Sequence, residues 1–366
     1  MIKKWIRAIV LYALAFSGLL WANLAARFPQ RVEILYSSSL YRWVIPLYSR
    51  ITGVFPFSVA ELVVVSLVVF ALYLGVRGAV KLIRTRRLPA FSLSRFGRLV
   101  LVLAGLYTAF ILMWGLNYHR LSFAELTGKT IQPGTTQELH DLTLDLIGRA
   151  NELRSLVQED QQGVMRLQGS VRDMFRRAHL GYIEAAKLYP QLGGRYGRPK
   201  GIVNTWYMNR TGIGGIYIPF TAEANVNVAM PHIVLPFTTT HEMAHQRGFA
   251  REDEANYIAY LTCVLHPDPD FQYSGVLFAL INTLRSLRSQ DAELHSQVMK
   301  ELSEGVKRDL DNWNEYWIKY QGGLLQRISD RVNDAYLRSN RQTDGIQSYG
   351  RMADLLLAEM REREND

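Results

Sequence analysis

Ala8 to Ala26 is an uncharged run of 19 residues, about what it takes to cross the hydrocarbon core of a bilayer. Two similar runs follow, Phe57 to Val76, broken only by Glu61 near its start, and Leu99 to Tyr118, which is uncharged. Backbone groups inside lipid must be satisfied within their own segment, so each run is expected to be a transmembrane helix, at about 8–26, 57–76 and 99–118. Lys3, Lys4 and Arg7 ahead of the first run also suit a signal peptide. The run is long for one, and only Ala22-Asn23-Leu24-Ala25-Ala26 resembles a cleavage site, so a retained anchor is expected.

The 366-residue chain carries 42 Lys and Arg against 33 Asp and Glu, a formal +9 that would suit a nucleic-acid binder. Its distribution points elsewhere. Residues 1–118 hold fourteen of the basic residues and only two acids, Glu33 and Glu61, which leaves 28 basic and 31 acidic residues in 119–366. The excess therefore reports membrane topology, and no nucleic-acid partner is expected. Arg77, Lys81, Arg84, Arg86, Arg87, Arg95 and Arg98 lie between the second and third runs without an acid. That loop, 77–98, and the N-terminus are placed in the cytoplasm, and everything after Tyr118 outside. The expected protein is multi-pass in the cell membrane, with the lipid bilayer as partner. Residues 27–56 form an outer loop along the interface, Trp114 and Tyr118 an interfacial belt, and residues 119–366 an extracytoplasmic domain. The single cysteine, Cys263, excludes an internal disulfide framework and a Cys-rich metal site.

Within the second part, Thr135-Thr136-Gln137-Glu138 reads as a capping box opening a helix. A second helix is expected over Val171 to Leu188, with a glycine-rich loop after Pro190. Ile202 to Met208 and Ile213 to Ile218 read as two strands of a hairpin joined through Asn209-Arg210-Thr211-Gly212. A strand edge there offers a place for an extended peptide. From Phe271 onward the pattern is helical, with turns at Gly322-Gly323 and Asp344-Gly345 and a last helix from Tyr349 to Arg361.

The chemistry concentrates in His241-Glu242-Met243-Ala244-His245. Residues four apart share a helix face, so His241 and His245 can offer two imidazoles to one ion, with Glu242 one step round to hold a water. This is the HExxH arrangement of zinc hydrolases. Gly248 is expected to end that helix in a left-handed cap, and a new helix from Arg251 or Glu252 returns a carboxylate to the metal. Glu252 and Asn256 share a face, so Glu252 is expected to complete the ligands while Asn256 orients a ligand imidazole through its second nitrogen. Glu254 lies about 200° round from Glu252 and is the alternative third ligand. Thr239-Thr240-His241-Glu242 also fits a plain capping box, which would explain Glu242 without chemistry. Tyr217, Tyr257, His232 and Arg251 are candidate oxyanion stabilisers, Glu223 and Asn225 candidate supports, and His266 a loop residue.

HExxH followed by Glu252-Asp253-Glu254-Ala255-Asn256 resembles the gluzincin peptidases, in style nearest the HtpX-like and ImmA/IrrE-like ones. The layout as a whole also resembles an uncharacterised family of bacterial three-span membrane proteins. The six residues between His245 and Glu252 are far fewer than is usual for gluzincins, and the third His of a metzincin pattern would fall on Arg251. The resemblance implies a mainly α fold: three transmembrane helices, then a mostly helical zincin-like α+β domain with a short hairpin or small sheet. It also implies that the first Glu of the second motif, Glu252, is the third zinc ligand. The expected function is a membrane-anchored zinc metallopeptidase in which Glu242 is the general base at a zinc-bound water, acting on peptide or protein substrates of the envelope. A zinc amidase of cell-wall material and a non-catalytic receptor that keeps the fold are the alternatives.

Overall fold

Helices stand on all three apolar runs in the computed structural model, which describes residues 2–86, 93–340, 342 and 351–365. The first, Ile2–Ala25, and the third, Leu93–Met113, pack side by side. Gly18 makes this possible: its N–H donates to Thr108 Oγ1 at 2.9 Å, and a Cβ there would stand 2.8 Å from Thr108 Cα. The second helix, Val59–Thr85, is capped by Ser58, whose side chain accepts from the Glu61 N–H. It runs past the expected end at Val76, so Arg77, Lys81 and Arg84 are helical, while Arg87 lies outside the described residues. Every residue from Leu62 to Val76 is exposed, an apolar surface that suits lipid and not water. The chain thus carries two helices long and apolar enough to cross a membrane, or three if the first is counted with the bent segment after it.

That bent segment corrects the expectation of a loop over residues 27–56. It is helical throughout most of its length, as Pro29–Arg31, a π-helix Val32–Tyr41 and the helix Arg42–Gly53. Tyr36, Tyr41 and Ile45 are buried on one side, while Ile34, Leu35 and Trp43 are exposed on the other. With apolar groups on both sides, it packs under the rest of the protein instead of looping into water. The third helix stops at Met113, short of the expected Tyr118, and a 3-10 turn, Gly115–His119, follows.

Beyond Tyr118 the protein is mainly helical with small sheets. The hairpin β1 (Gln158–Glu159) and β2 (Met165–Arg166) is separate from a three-stranded sheet of β3 (Lys200–Ile202), β4 (Gly215–Ile218) and β5 (Glu223–Asn227). The order is β3-β5-β4, with β5 parallel to β3 and antiparallel to β4, Gly215 opposite Val226 and Ile218 opposite Glu223. The expected strand Ile202–Met208 is mostly the helix Thr205–Thr211. Asn204 caps it by accepting from the Tyr207 N–H, and Gly212 closes it in the left-handed region at φ 72°. Conversely β5, Glu-Ala-Asn-Val-Asn, is too polar to read as a strand, yet all five residues are buried. Glu223 pairs with Lys200 and takes the N–H groups of Val59 and Ala60. Asn225 donates to the Ile216 and Glu223 carbonyls, and Asn227 to Asn209 Oδ1.

The capping box at Thr135 is formed and opens the helix Thr136–Arg154. The expected helix Val171–Leu188 is divided at Ala178 into Val171–Arg177 and His179–Leu188. The sheet rests on the helix Leu235–Gln246, which packs on Glu252–Val264 and Pro269–Gln290 around Phe237, Phe249, Phe271 and Tyr273. The last helix is Met352–Asn365; the expected turn at Asp344-Gly345 and start at Tyr349 lie outside the described residues. A second apolar cluster, of Tyr36, Tyr41, Ile45, Ile111, Trp114 and Tyr217, joins the membrane helices to β4.

Candidate metal centre

Thr239 and Thr240 sit in the interior of the helix Leu235–Gln246 and not at its start, so the capping box that would have explained Glu242 is absent. Their hydroxyls turn back to carbonyls of the preceding turn, Thr239 Oγ1 to Leu235 O at 2.7 Å and Thr240 Oγ1 to Phe237 O at 3.0 Å. Every residue from Thr239 to Gln246 is buried. The helix ends at Arg247, and Gly248 takes φ 86°. The Gly248 N–H then reaches His245 O and the Phe249 N–H reaches Ala244 O, the paired bonds of a Schellman cap.

This cap also sets a ligand. The Phe249 carbonyl it presents accepts from His245 Nδ1 at 2.7 Å, which keeps a proton on Nδ1 and turns Nε2 inward. Two residues after Phe249, Arg251 begins the helix Glu252–Val264, and Glu252 occupies its first position. Glu252 Oε2 stands 3.2 Å from His241 Nε2 and 3.4 Å from His245 Nε2. All three ligand atoms lie within 4.8 Å of one another. Donors about 2.0–2.2 Å from a tetrahedral zinc are about 3.3 Å apart, so these gaps are those of a ligand set. Glu252 Oε2 is buried with no hydrogen bond of good geometry among the described residues. The three groups could hold a metal ion.

Burial opposes the charge on both His245 and Glu252, but each holds the other ionised. His245 is raised to about 9, chiefly by the Glu252 charge, and the Glu252 carboxyl is held well below the usual range by His245 and His241. His241 is lowered by burial, against the pull of Glu252 and of nearby Asn256; its Nδ1 has no hydrogen bond of good geometry among the described residues. Glu254 turns elsewhere, accepting from the Phe123 N–H and from Arg251, each at 3.1 Å.

Burial raises Glu242 to about 8, with Glu252 adding to the rise and His245 opposing it; its Oε2 has no hydrogen-bond partner among the described residues. The backbone N–H of Tyr217 lies near its carboxylate and opposes the rise. Gly215 makes the space: a Cβ there would lie 2.5 Å from Glu242 Oε1 and 2.7 Å from its Cγ. The Asn227 N–H bonds Gly214 O, so the alternation of an antiparallel pair turns the backbone groups of Gly215 and Tyr217 away from β5. β4 is therefore a sheet edge laid beside Glu242.

Of the other residues singled out, Tyr217 lies in the site wall, its hydroxyl 3.2 Å from that of Tyr41 and its ring 4.8 Å from Trp114. Tyr257 is engaged with Glu359, His232 accepts from the Leu167 N–H, and Arg251 pairs with Glu254. His266 stacks on Phe271. Glu223 and Asn225 hold the sheet and the start of the second membrane helix, at a remove from the three ligand atoms.

Three residues of the site escaped the sequence reading. Trp114 is buried, not part of an exposed belt, and sets its ring edge-on to His245 with centroids 5.9 Å apart. Tyr336, in the helix Leu324–Ser339, accepts from the Tyr118 hydroxyl at 3.0 Å, and its phenol is raised by burial and by the neighbouring Glu252 charge. Gly215 had a faint signal, as one of two glycines opening a predicted strand.

Residues 36–357 match a family whose description is "Protein of unknown function (DUF3810)", a span that takes in the helices Val59–Thr85 and Leu93–Met113 together with His241, His245 and Glu252, but not the first helix, Ile2–Ala25. No curated protein and no solved structure matches the chain.

Proposed function

The chain belongs to the family described as protein of unknown function (DUF3810), so its activity has to be read from its own site, and we propose a membrane-anchored zinc metallopeptidase. The observation that carries this reading is the meeting of His241 Nε2, His245 Nε2 and Glu252 Oε2 at the spacing of a tetrahedral ion, with Glu242 beside them. A zinc ion held there supplies a Lewis acid that polarises a carbonyl and acidifies water. Glu242 takes the proton of the attacking water on its unpartnered Oε2 and passes it to the leaving amine. The burial that raises its carboxyl makes its carboxylate a better proton acceptor. The Phe249 carbonyl holds the His245 imidazole in place, and Asn256 stands near that of His241.

The edge of β4 favours a peptide over a cell-wall glycan amide, since an extended chain can add to it as a strand beside Glu242. The substrates proposed are envelope or exported polypeptides, with the domain outside the cell membrane and the basic segment around Arg77–Arg86 in the cytoplasm. The test is metal content of the full chain and of four variants. One equivalent of zinc is expected in the wild type, in Glu254→Ala and in Glu242→Gln, and its loss in His245→Ala and Glu252→Ala. Glu242→Gln, still loaded, should cleave peptides about 10²- to 10⁴-fold more slowly than the wild type. A wild type that takes up no zinc under replete conditions removes the reading.

A further inference from the structure

The helix Leu324–Ser339 carries an apolar stripe that none of the described residues covers. Leu325, Ile328 and Val332 are exposed, Val332 at 63%. Tyr336 continues the same line, four residues on, because positions at three- and four-residue spacing share a helix face. Tyr336 is where the stripe meets the membrane part. Its ring packs edge-on to Phe110, in the last turn of the third membrane helix, with centroids 6.1 Å apart.

The other end of the stripe rests on the short helix Thr205–Thr211. The Gln326 side chain closes against Gly212, and Asn209 Nδ2 donates to the Tyr320 hydroxyl at 3.2 Å. That short helix exposes Trp206 and Tyr207. The residues just before it, Val203 and Asn204, give their N–H groups to Glu61 at 2.9 and 2.7 Å, and Glu61 lies in the first turn of the second membrane helix. The stripe is therefore tied at one end to the close of one membrane helix and at the other to the start of another.

We propose that this stripe docks into the bilayer surface, so that the helix Leu324–Ser339 lies in the interface plane between the two membrane helices. The bilayer is the occupant because both anchor points are ends of lipid-crossing helices, which fixes the level of the stripe. The surrounding chemistry matches an interfacial helix: an apolar line, aromatic rings at Trp206 and Tyr207, and exposed Arg327 and Arg331 on its flank to reach headgroups. The exposed Ile34, Leu35 and Trp43 of the bent segment continue the apolar surface around the same end of the membrane helices. The docked helix carries Tyr336, so the metal centre stands at the bilayer surface. This inference holds whether or not the site is a peptidase.

The experiment uses the full chain in lipid nanodiscs with a nitrobenzoxadiazole label on Ile328→Cys, Val332→Cys or, as a reference facing the other way, Asp330→Cys. Cys263 is buried and stays unlabelled. Nitroxide-bearing lipids are expected to quench the labels at 328 and 332 several-fold more than the label at 330, and iodide in the water to do the reverse. Iodide reaching all three alike would overturn the proposal. Labels at 328 and 332 shielded from iodide but not quenched by lipid would also overturn it, since a protein surface or a second copy would then be the cover.

Discussion

Gly215 has no side chain, and the position of Glu242 depends on that. Any Cβ at 215 would press on both Oε1 and Cγ of Glu242, so the carboxylate cannot avoid it by swinging its tip alone. Gly215→Ala is therefore expected to keep its zinc, because the three ligand atoms do not touch that position, and to lose hydrolysis by about 10²- to 10⁴-fold, the usual share of a general base. Zinc content and turnover on the same sample decide it; full turnover with Gly215→Ala would sink the assignment of Glu242. The meeting of His241, His245 and Glu252 was legible in the sequence because its logic is local: a four-residue repeat on one helix and a carboxylate on the next. Gly215, Trp114 and Tyr336 were not, because each reaches the site from an element distant in the chain and nothing local marks it.

At the scale of elements, the turn Arg247–Arg251 does two tasks at once. It reverses the chain so that Glu252 returns to the two histidines, and it offers the Phe249 carbonyl that accepts from His245 Nδ1. Both depend on Gly248 at φ 86°. A side chain in that region costs about 1–2 kcal/mol, and here its Cβ would also crowd Asn117 and Tyr41 at 3.1 Å. Gly248→Ala is expected to lower the melting midpoint and to weaken zinc binding together, measured by thermal unfolding and by competition with a chelator. Weakened folding with unchanged zinc affinity would show that the turn does not set the ligand. This turn was legible, since a glycine between a metal helix and an acidic helix start has few other uses. The sheet was legible only in β4. Asn204 and Gly212 make Thr205–Thr211 a helix despite its aromatic and apolar content, and β5 stays buried only because Lys200, Asn209 and two N–H groups of the second membrane helix satisfy its polar side chains. Such partners come from tertiary contacts that a local pattern does not contain.

At the scale of the whole molecule, the long apolar helices and the candidate metal site are one structure. Glu33, in the π-helix after the first membrane helix, forms a buried two-pronged pair with Arg120, both bonds at 2.8 Å, and Arg120 also donates to Gly248 O. Trp114 and Tyr41 close the wall beside His245 and Tyr217, and Lys200 reaches the Thr52 carbonyl. Residues 119–366 alone would lose the Glu33 carboxylate that pairs with Arg120 and would uncover the apolar wall of Tyr217 beside His245. Whole domains are stable by only about 5–15 kcal/mol, so losing both contacts is a sizeable share. The fragment is expected to unfold at lower temperature than the full chain in nanodiscs and to bind zinc at least tenfold more weakly. Circular dichroism melting and a zinc competition titration on the two proteins test this. A fragment that matches the full chain in both would show that the membrane helices only tether the site. The opposite result would mean that they build it, which places the chemistry where the helices leave the bilayer.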